Sequence, residues 1–186
     1  MIWKRIFGRT DRDDVACAIY GALVGQARLP DFYLHAGVPD TIEGRFEMVL
    51  LHAFLVLRRM KAAGEPAREL GQHVFDIMFD DMDQTLREIG VGDLSVGKKV
   101  KGMAAAFYGR IAAYDEGLDA AAPEVLDEAL KRNLFATAAP AEAEVAALAD
   151  YVRAADKALA GQSLEALLAG AVDFSAAPLP PARSAA

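Results

Sequence analysis

Cysteine occurs once, as Cys17, so no disulfide can close within the chain and a reducing compartment suits it. Cys17 lies in the apolar stretch Val15-Ala-Cys-Ala-Ile19 and reads as a small buried hydrophobe. Long apolar runs are missing as well. The longest, Met48 to Leu57, contains His52 and falls short of the ~18–20 residues of a membrane span. Met1–Arg12 has no apolar stretch long enough for a secretory signal, so the chain is expected to be made and kept in the cytoplasm. Catalytic signatures are absent: there is neither a Gly-x-Ser-x-Gly elbow nor a Walker loop, and Gly90-Val-Gly92 is too short to cradle a phosphate. Positive charge is in deficit, with a net of −7, which argues against a DNA binder that works through global charge. No convincing strand alternation appears.

What is present is helical periodicity. Hydrophobic residues make up 54% of 186 residues, enough for one domain with a substantial core, and alanine is concentrated towards the C-terminus. A first helix is predicted from Asp13 to about Ala27, with Val15, Ile19 and Leu23 on one face, ended by Pro30. Leu29–Pro39 reads as a loop or short turn. A second helix follows Asp40, taken as N-cap with Glu43 completing a capping box, and carries Ile42, Phe46, Val49, Ala53, Leu57 and Met60 at helical spacing. Arg58, Arg59 and Lys61 suit its negative end. Pro66 opens a third helix that runs to Ile89 and stops at Gly90; its stripe is Phe75, Met78, Phe79, Met82, Leu86 and Ile89. A fourth begins after Asp93 or Ser95, with Val96, Val100, Met103, Phe107, Ile111 and Tyr114 in line. Helices are also predicted over Pro123–Phe135, Pro140–Leu159 and Leu164–Leu168. The expectation is an all-α, single-domain bundle of about six to seven helices. It divides into a basic amphipathic segment (1–12), a core (13–118), Ala-rich helices packing on it (119–173) and a disordered Ala/Pro-rich tail (174–186).

Three charge patterns stand out. At the N-terminus, Ile2, Trp3, Ile6 and Phe7 share one helical face, and Lys4, Arg5, Arg9 and Arg12 face a single acid, Asp11. This end is about +3 against about −10 for the remainder of a chain whose net is −7. It reads either as an interfacial anchor in which Trp3, Lys4, Arg5, Phe7 and Arg9 meet a membrane, or as a terminus whose aromatics dock on the core. On the third helix, Asp76, Asp80 and Asp83 line one face, flanked by His73 and Arg87; the repulsion is relieved by solvent, by pairs within the fold, by a basic partner or by a metal. The metal reading is weak, because the paired Glu-x-x-His motifs of di-iron bundles are missing. On the fourth helix, Lys98, Lys99 and Lys101 occupy the first two turns, where the dipole is unfavourable to cations. They meet either the aspartate stripe across the Gly90–Ser95 turn or an anionic partner: lipid headgroups, a protein, RNA or a haem propionate. His52, in an apolar helix, reads as a satisfied core residue rather than a ligand or base.

Several phrases together resemble the ubiquinol–cytochrome c chaperone family: Asp40-Thr-Ile-Glu-Gly-Arg-Phe46, His52, Phe79-Asp-Asp-Met-Asp-Gln-Thr-Leu-Arg-Glu-Ile-Gly-Val-Gly-Asp93, Lys98-Lys-Val-Lys101 and Phe107-Tyr-Gly-Arg110. The likeness covers roughly 13–118, and the C-terminal third looks less typical. It implies a helical, non-enzymatic assembly chaperone, here a bacterial relative. Such a protein binds newly made cytochrome b, or another subunit of respiratory complex III, near the ribosome and the membrane, with no cofactor of its own. Partner-binding residues expected on this basis are Arg45, His52, Asp76, Asp80, Asp83, Arg87, Lys98, Lys99, Lys101, Tyr108 and Arg110. Competing readings are a metal- or haem-handling protein using His73, Asp76 and Asp80 or His52, and an RNA- or ribosome-binding module using Lys98, Lys99, Lys101 and Arg110.

If the basic N-terminus is an anchor, deleting Met1–Arg12 lowers partition onto anionic vesicles in a sedimentation assay; unchanged partition removes the anchor reading.

Overall fold

The computed structural model describes residues 11–175, and among these every regular element is a helix. In chain order they are α1 (Asp11–Ala27), α2 (Pro30–His35), α3 (Ile42–Ala62), α4 (Ala67–Glu88), α5 (Asp93–Asp119), α6 (Glu124–Asn133), α7 (Glu142–Ala160) and α8 (Leu164–Leu168). The all-α bundle is as expected. The added element is α2, a helix of six residues in the segment read as a loop or short turn. Pro30 presets its first turn, and Phe32 is its buried anchor.

α3 is the axis of the bundle. It packs on α1, α4 and α7; α4 in turn packs on α1, α5 and α8, and α6 bridges α5 and α7. Leu50 through Val56 are all buried, so α3 is enclosed around its whole circumference rather than along one stripe. The core extends from Ile19 and Leu23 on α1 through Met78 and Phe107 to Leu148 and Val152 on α7.

One helix end differs in detail from expectation and another matches it. The N-cap of α3 is Thr41, whose hydroxyl accepts from the Gly44 amide at 3.1 Å, not Asp40. The Asp40 carboxylate is drawn instead to Arg45 Nε at 2.6 Å, so the Glu43 capping box does not form. α4 stops as predicted at Gly90, which has φ +87 and so avoids the Cβ penalty of that region. Val91 N donates to Leu86 O and Gly90 N to Arg87 O, both at 3.0 Å, which satisfies the last carbonyls in a Schellman closure.

Phe174, assigned from sequence to the disordered tail, is 4% exposed and packs edge-on to the His52 ring at 5.3 Å. A polar relay holds it there. Arg59 donates to Leu159 O and Gln162 O at 2.8 and 2.7 Å; the Gln162 amide donates to Asp173 O, and Asp173 N donates back to Gln162 Oε1 at 3.3 Å. Trp3, Lys4, Arg5, Phe7 and Arg9, and the tail beyond Ser175, lie outside the described residues.

The glycines of α5 separate two kinds of position. At Gly117 a Cβ would stand 2.7 Å from Leu126 Cα, because α6 packs directly on it; at Gly109 it would meet nothing within 4 Å. Gly117→Ala is therefore expected to cost about 1–3 kcal/mol by forcing the helices apart. Gly109→Ala should add about 0.5–1 kcal/mol of stability through helix propensity. Denaturant unfolding of the two variants checks the opposite signs.

Candidate functional site

The inward polar groups of α3, Glu47, His52, Arg58 and Arg59, are each met inside the fold. His52 is fully buried. Its Nδ1 lies 2.8 Å from Met48 O, which can only accept, so Nδ1 carries the proton. Nε2 then accepts from the Tyr151 hydroxyl at 2.7 Å, and that hydroxyl accepts from the Gln26 amide at 3.1 Å. Burial pushes the imidazole down to about 4, with the Met48 carbonyl opposing weakly, and keeps it neutral. Phe32, Tyr151 and Phe174 surround the ring.

Arg58, half-buried, binds Asp115 at 2.5 Å and Asp119 at 2.6 Å on α5, and Asp156 at 3.1 Å on α7. Burial works against its charge, but the Asp119 and Asp115 bonds outweigh that and strengthen its hold on its proton. Glu47 and Arg110 form a two-point pair between α3 and α5, with side chains only 13% and 19% exposed. Burial raises the Glu47 carboxyl, and the Arg110 bonds pull it back. The sequence gives no sign that Arg58, Asp115, Asp119 and Asp156 meet, because they are distant in the chain and each looks like a surface charge.

These commitments sort the expected partner-binding residues. His52 is enclosed, and Arg110 is engaged with Glu47. Arg45 is held by Asp40 and lies over the Tyr33 ring at 5.6 Å. Arg87 bridges Asp83 at 2.6 Å and Asp93 across the α4–α5 turn. Asp76 and Asp80 are exposed on the outward face of α4, where Asp76 accepts from Gln72 at 2.9 Å. Lys98, Lys99 and Lys101 are exposed, and among the described residues none of them pairs with the aspartate stripe. Arg87 takes the place across the turn that one of the two readings gave to the lysines. His73 pairs with Asp13 at 3.2 Å, on α1, and is not gathered with Asp76 and Asp80. Among the described residues no three His, Cys, Asp or Glu side chains come together as metal ligands.

An apolar groove of about 280 Å³ opens between α3, α4 and α5, lined chiefly by Leu57, Met60, Gly71, Phe75, Tyr108 and Ile111, with Lys61 and Arg68 at its margin. Phe75 forms a wall: its ring lies 4.6 Å from Phe79 behind it and 5.8 Å from Tyr108, which is 60% exposed. Met78, Phe79, Met82 and Phe107 of the Met- and Phe-rich stripes are core; Phe75 and Met103 are partly open. Beside Tyr108, α5 turns Gly102, Ala105, Gly109 and Ala112 outward, all exposed. The sequence signal for this smooth face was the run of interior helix glycines, which sit where alanine would be more stable.

The structure also resembles known proteins. The ubiquinol-cytochrome C chaperone family model matches residues 34–174, so the similarity continues through the Ala-rich C-terminal third that looked less typical from its low-complexity sequence. Ubiquinol-cytochrome-c reductase complex assembly factor 1 of Xenopus laevis is 27% identical over 138 residues, covering 74% of this chain and 68% of the frog protein. The Homo sapiens protein of that name is 30% identical over 138 residues, covering 74% of this chain and 46% of the human one, so the match spans about half the length of that relative. The crystal structure of the Cbp3 homolog from Brucella abortus superposes with a TM-score of 0.79 at 36% identity, over 96% of this chain and 100% of that one.

The neutral His52 sets a pH window. The unfolded imidazole takes a proton near 6.5, whereas the folded one refuses it until about 4. Stability contributed by the neutral ring is full above pH 6.5 and is lost as pH falls towards 4, by about 3 kcal/mol. Unfolding free energies measured across that range should fall more steeply for the parent than for His52→Gln; equal slopes contradict the assignment.

Proposed function

The chain belongs to the ubiquinol–cytochrome c chaperone family, and from that premise we propose that it is a non-enzymatic assembly chaperone. Its client is newly made cytochrome b, or another subunit of the ubiquinol–cytochrome c reductase complex, held during biogenesis of that complex. The supporting names belong to the relatives, which are assembly factors for that reductase.

The observation that carries the reading to a surface is the open groove at Phe75, Tyr108 and Ile111 together with the Gly/Ala face of α5 next to it. A client helix destined for a membrane is apolar on all sides, and a face of small residues lets its backbone come close. Gly102, Ala105 and Gly109 give such a face, and Phe75 and Tyr108 offer aromatic area for a bulky client side chain. Exposed Asp76 and Asp80 on α4 border the apolar region with negative charge, suited to basic loops of the client. No covalent chemistry is required of any of these groups. No described helix is long and apolar enough to cross a membrane. On this reading the chain works from the cytoplasmic side, where its client inserts.

Deleting the gene should lower the cytochrome b and assembled reductase content of membranes, and a Tyr108→Asp/Phe75→Ser variant that folds normally should fail to restore it. Normal complex content in the deletion strain overturns the reading. Full restoration by the double variant removes the groove from it.

A further inference from the structure

The turn from α4 to α5 carries apolar side chains that the fold does not use. Leu94 is 100% exposed and Ile89 65% exposed, with Val91 half-buried between them. Gly90 closes α4, and α5 starts at Asp93 after the extended Gly92, with no hydrogen bond from a capping side chain. Behind this apolar end, Lys98, Lys99 and Lys101 are exposed and, among the described residues, make no ion pair. Because α5 starts at Asp93, they stand in its second and third turns rather than its first two, past the reach of the helix-end dipole. An apolar tip and a cluster of unpaired cations, neither of which the fold uses, thus sit at one end of one hairpin.

We propose that this hairpin end is a lipid-contact site: Ile89, Val91 and Leu94 enter the interface of a bilayer, and Lys98, Lys99 and Lys101 meet its anionic headgroups. The order along the hairpin matches the order of a bilayer surface. At 1.5 Å per helical residue, Lys98 stands about 6 Å and Lys101 about 10 Å along α5 from Leu94. Apolar faces of interfacial segments sink about 5–10 Å, so the ammonium groups fall at headgroup depth when Leu94 is buried.

The acidic groups nearby do not reverse this. Arg87 engages both Asp83 and Asp93, and Arg87, Lys98, Lys99 and Lys101 together outnumber Asp83, Glu88 and Asp93, so this end stays net positive. Outside the basic first twelve residues the chain carries about −10, against −7 for the whole, which repels an anionic bilayer from its other surfaces and turns the lysine-bearing end towards it. A folded acidic protein is the other surface that would attract three lysines. It would seat an apolar anchor in a fitted pocket, but the apolar residues here project from a convex end, and a fluid interface accepts them without a matching shape. The site is separate from the Phe75–Tyr108 groove and stands whether or not the client is cytochrome b.

The test uses the full chain with vesicles of phosphatidylcholine alone or mixed with phosphatidylglycerol. The parent should co-sediment with the mixed vesicles only, less so as salt rises. Lys98→Gln/Lys99→Gln/Lys101→Gln should reduce that partition about a hundredfold, and Ile89→Ser/Leu94→Ser should reduce it independently, both with unchanged circular dichroism. The single native tryptophan is Trp3, so Leu94→Trp in a Trp3→Phe background reports on the hairpin alone, whatever the N-terminus does. Its emission should shift to the blue on adding mixed vesicles. An unshifted emission overturns the proposal, as does a lysine variant that partitions like the parent. Binding of the parent to an acidic protein but not to mixed vesicles also overturns it.

Discussion

The enclosure of α3 is the constraint on which the remainder depends. A helix enclosed over its middle turns cannot leave an inward polar group unmet, because an unpaired donor or charge in the interior costs several kcal/mol. Glu47, His52, Arg58 and Arg59 therefore each determine where another element must lie. Glu47 and Arg58 fix α5 through Arg110, Asp115 and Asp119. His52 fixes α7 through Tyr151. Arg59 fixes the end of α7, from which Gln162 holds the strap carrying Phe174. The apolar core supplies most of the driving force, and these few polar contacts choose the arrangement.

Once α3 has absorbed the buried polar groups, the α4–α5 hairpin is left with surplus features. Its inner stripe, Met78, Phe79, Met82 and Phe107, belongs to the core. Its outer features, namely the aspartates, the lysines, Tyr108, the smooth α5 face and the apolar end, have little structural duty. Helix glycines with open space around them reduce stability slightly, and exposed lysines without an ion pair add nothing to it, which is the pattern expected where a surface is kept for a partner. The family membership says what kind of partner to seek; the hairpin says where on the chain to seek it.

Local signals in the sequence resolved the helices well. Pro66, Gly64 and Gly90 mark boundaries by backbone chemistry that does not depend on tertiary context, and α8 falls where its periodicity placed it. The cap of α3 was missed by one residue because Asp40 and Thr41 are both good caps, and the choice turned on Arg45, a competitor for the Asp40 carboxylate. His52 was legible as a satisfied core residue, but not its partners, since Tyr151 and Gln26 are remote in sequence. The Arg58 hub was illegible for the same reason. The lysines posed an explicit choice between the aspartate stripe and an outside partner, and a residue assigned to neither role, Arg87, occupied the bridging place.

The central claim is that the open face beside Tyr108 is where a client rests. Its most direct test is site-specific photocrosslinking in growing cells, with a benzophenone amino acid at position 108 and, as control, at position 150, an 82% exposed site on α7. The account predicts an adduct between position 108 and cytochrome b that appears during synthesis and is absent from position 150. Equal adducts at both positions, or none at 108 in a folded protein that still supports assembly of the complex, would contradict it.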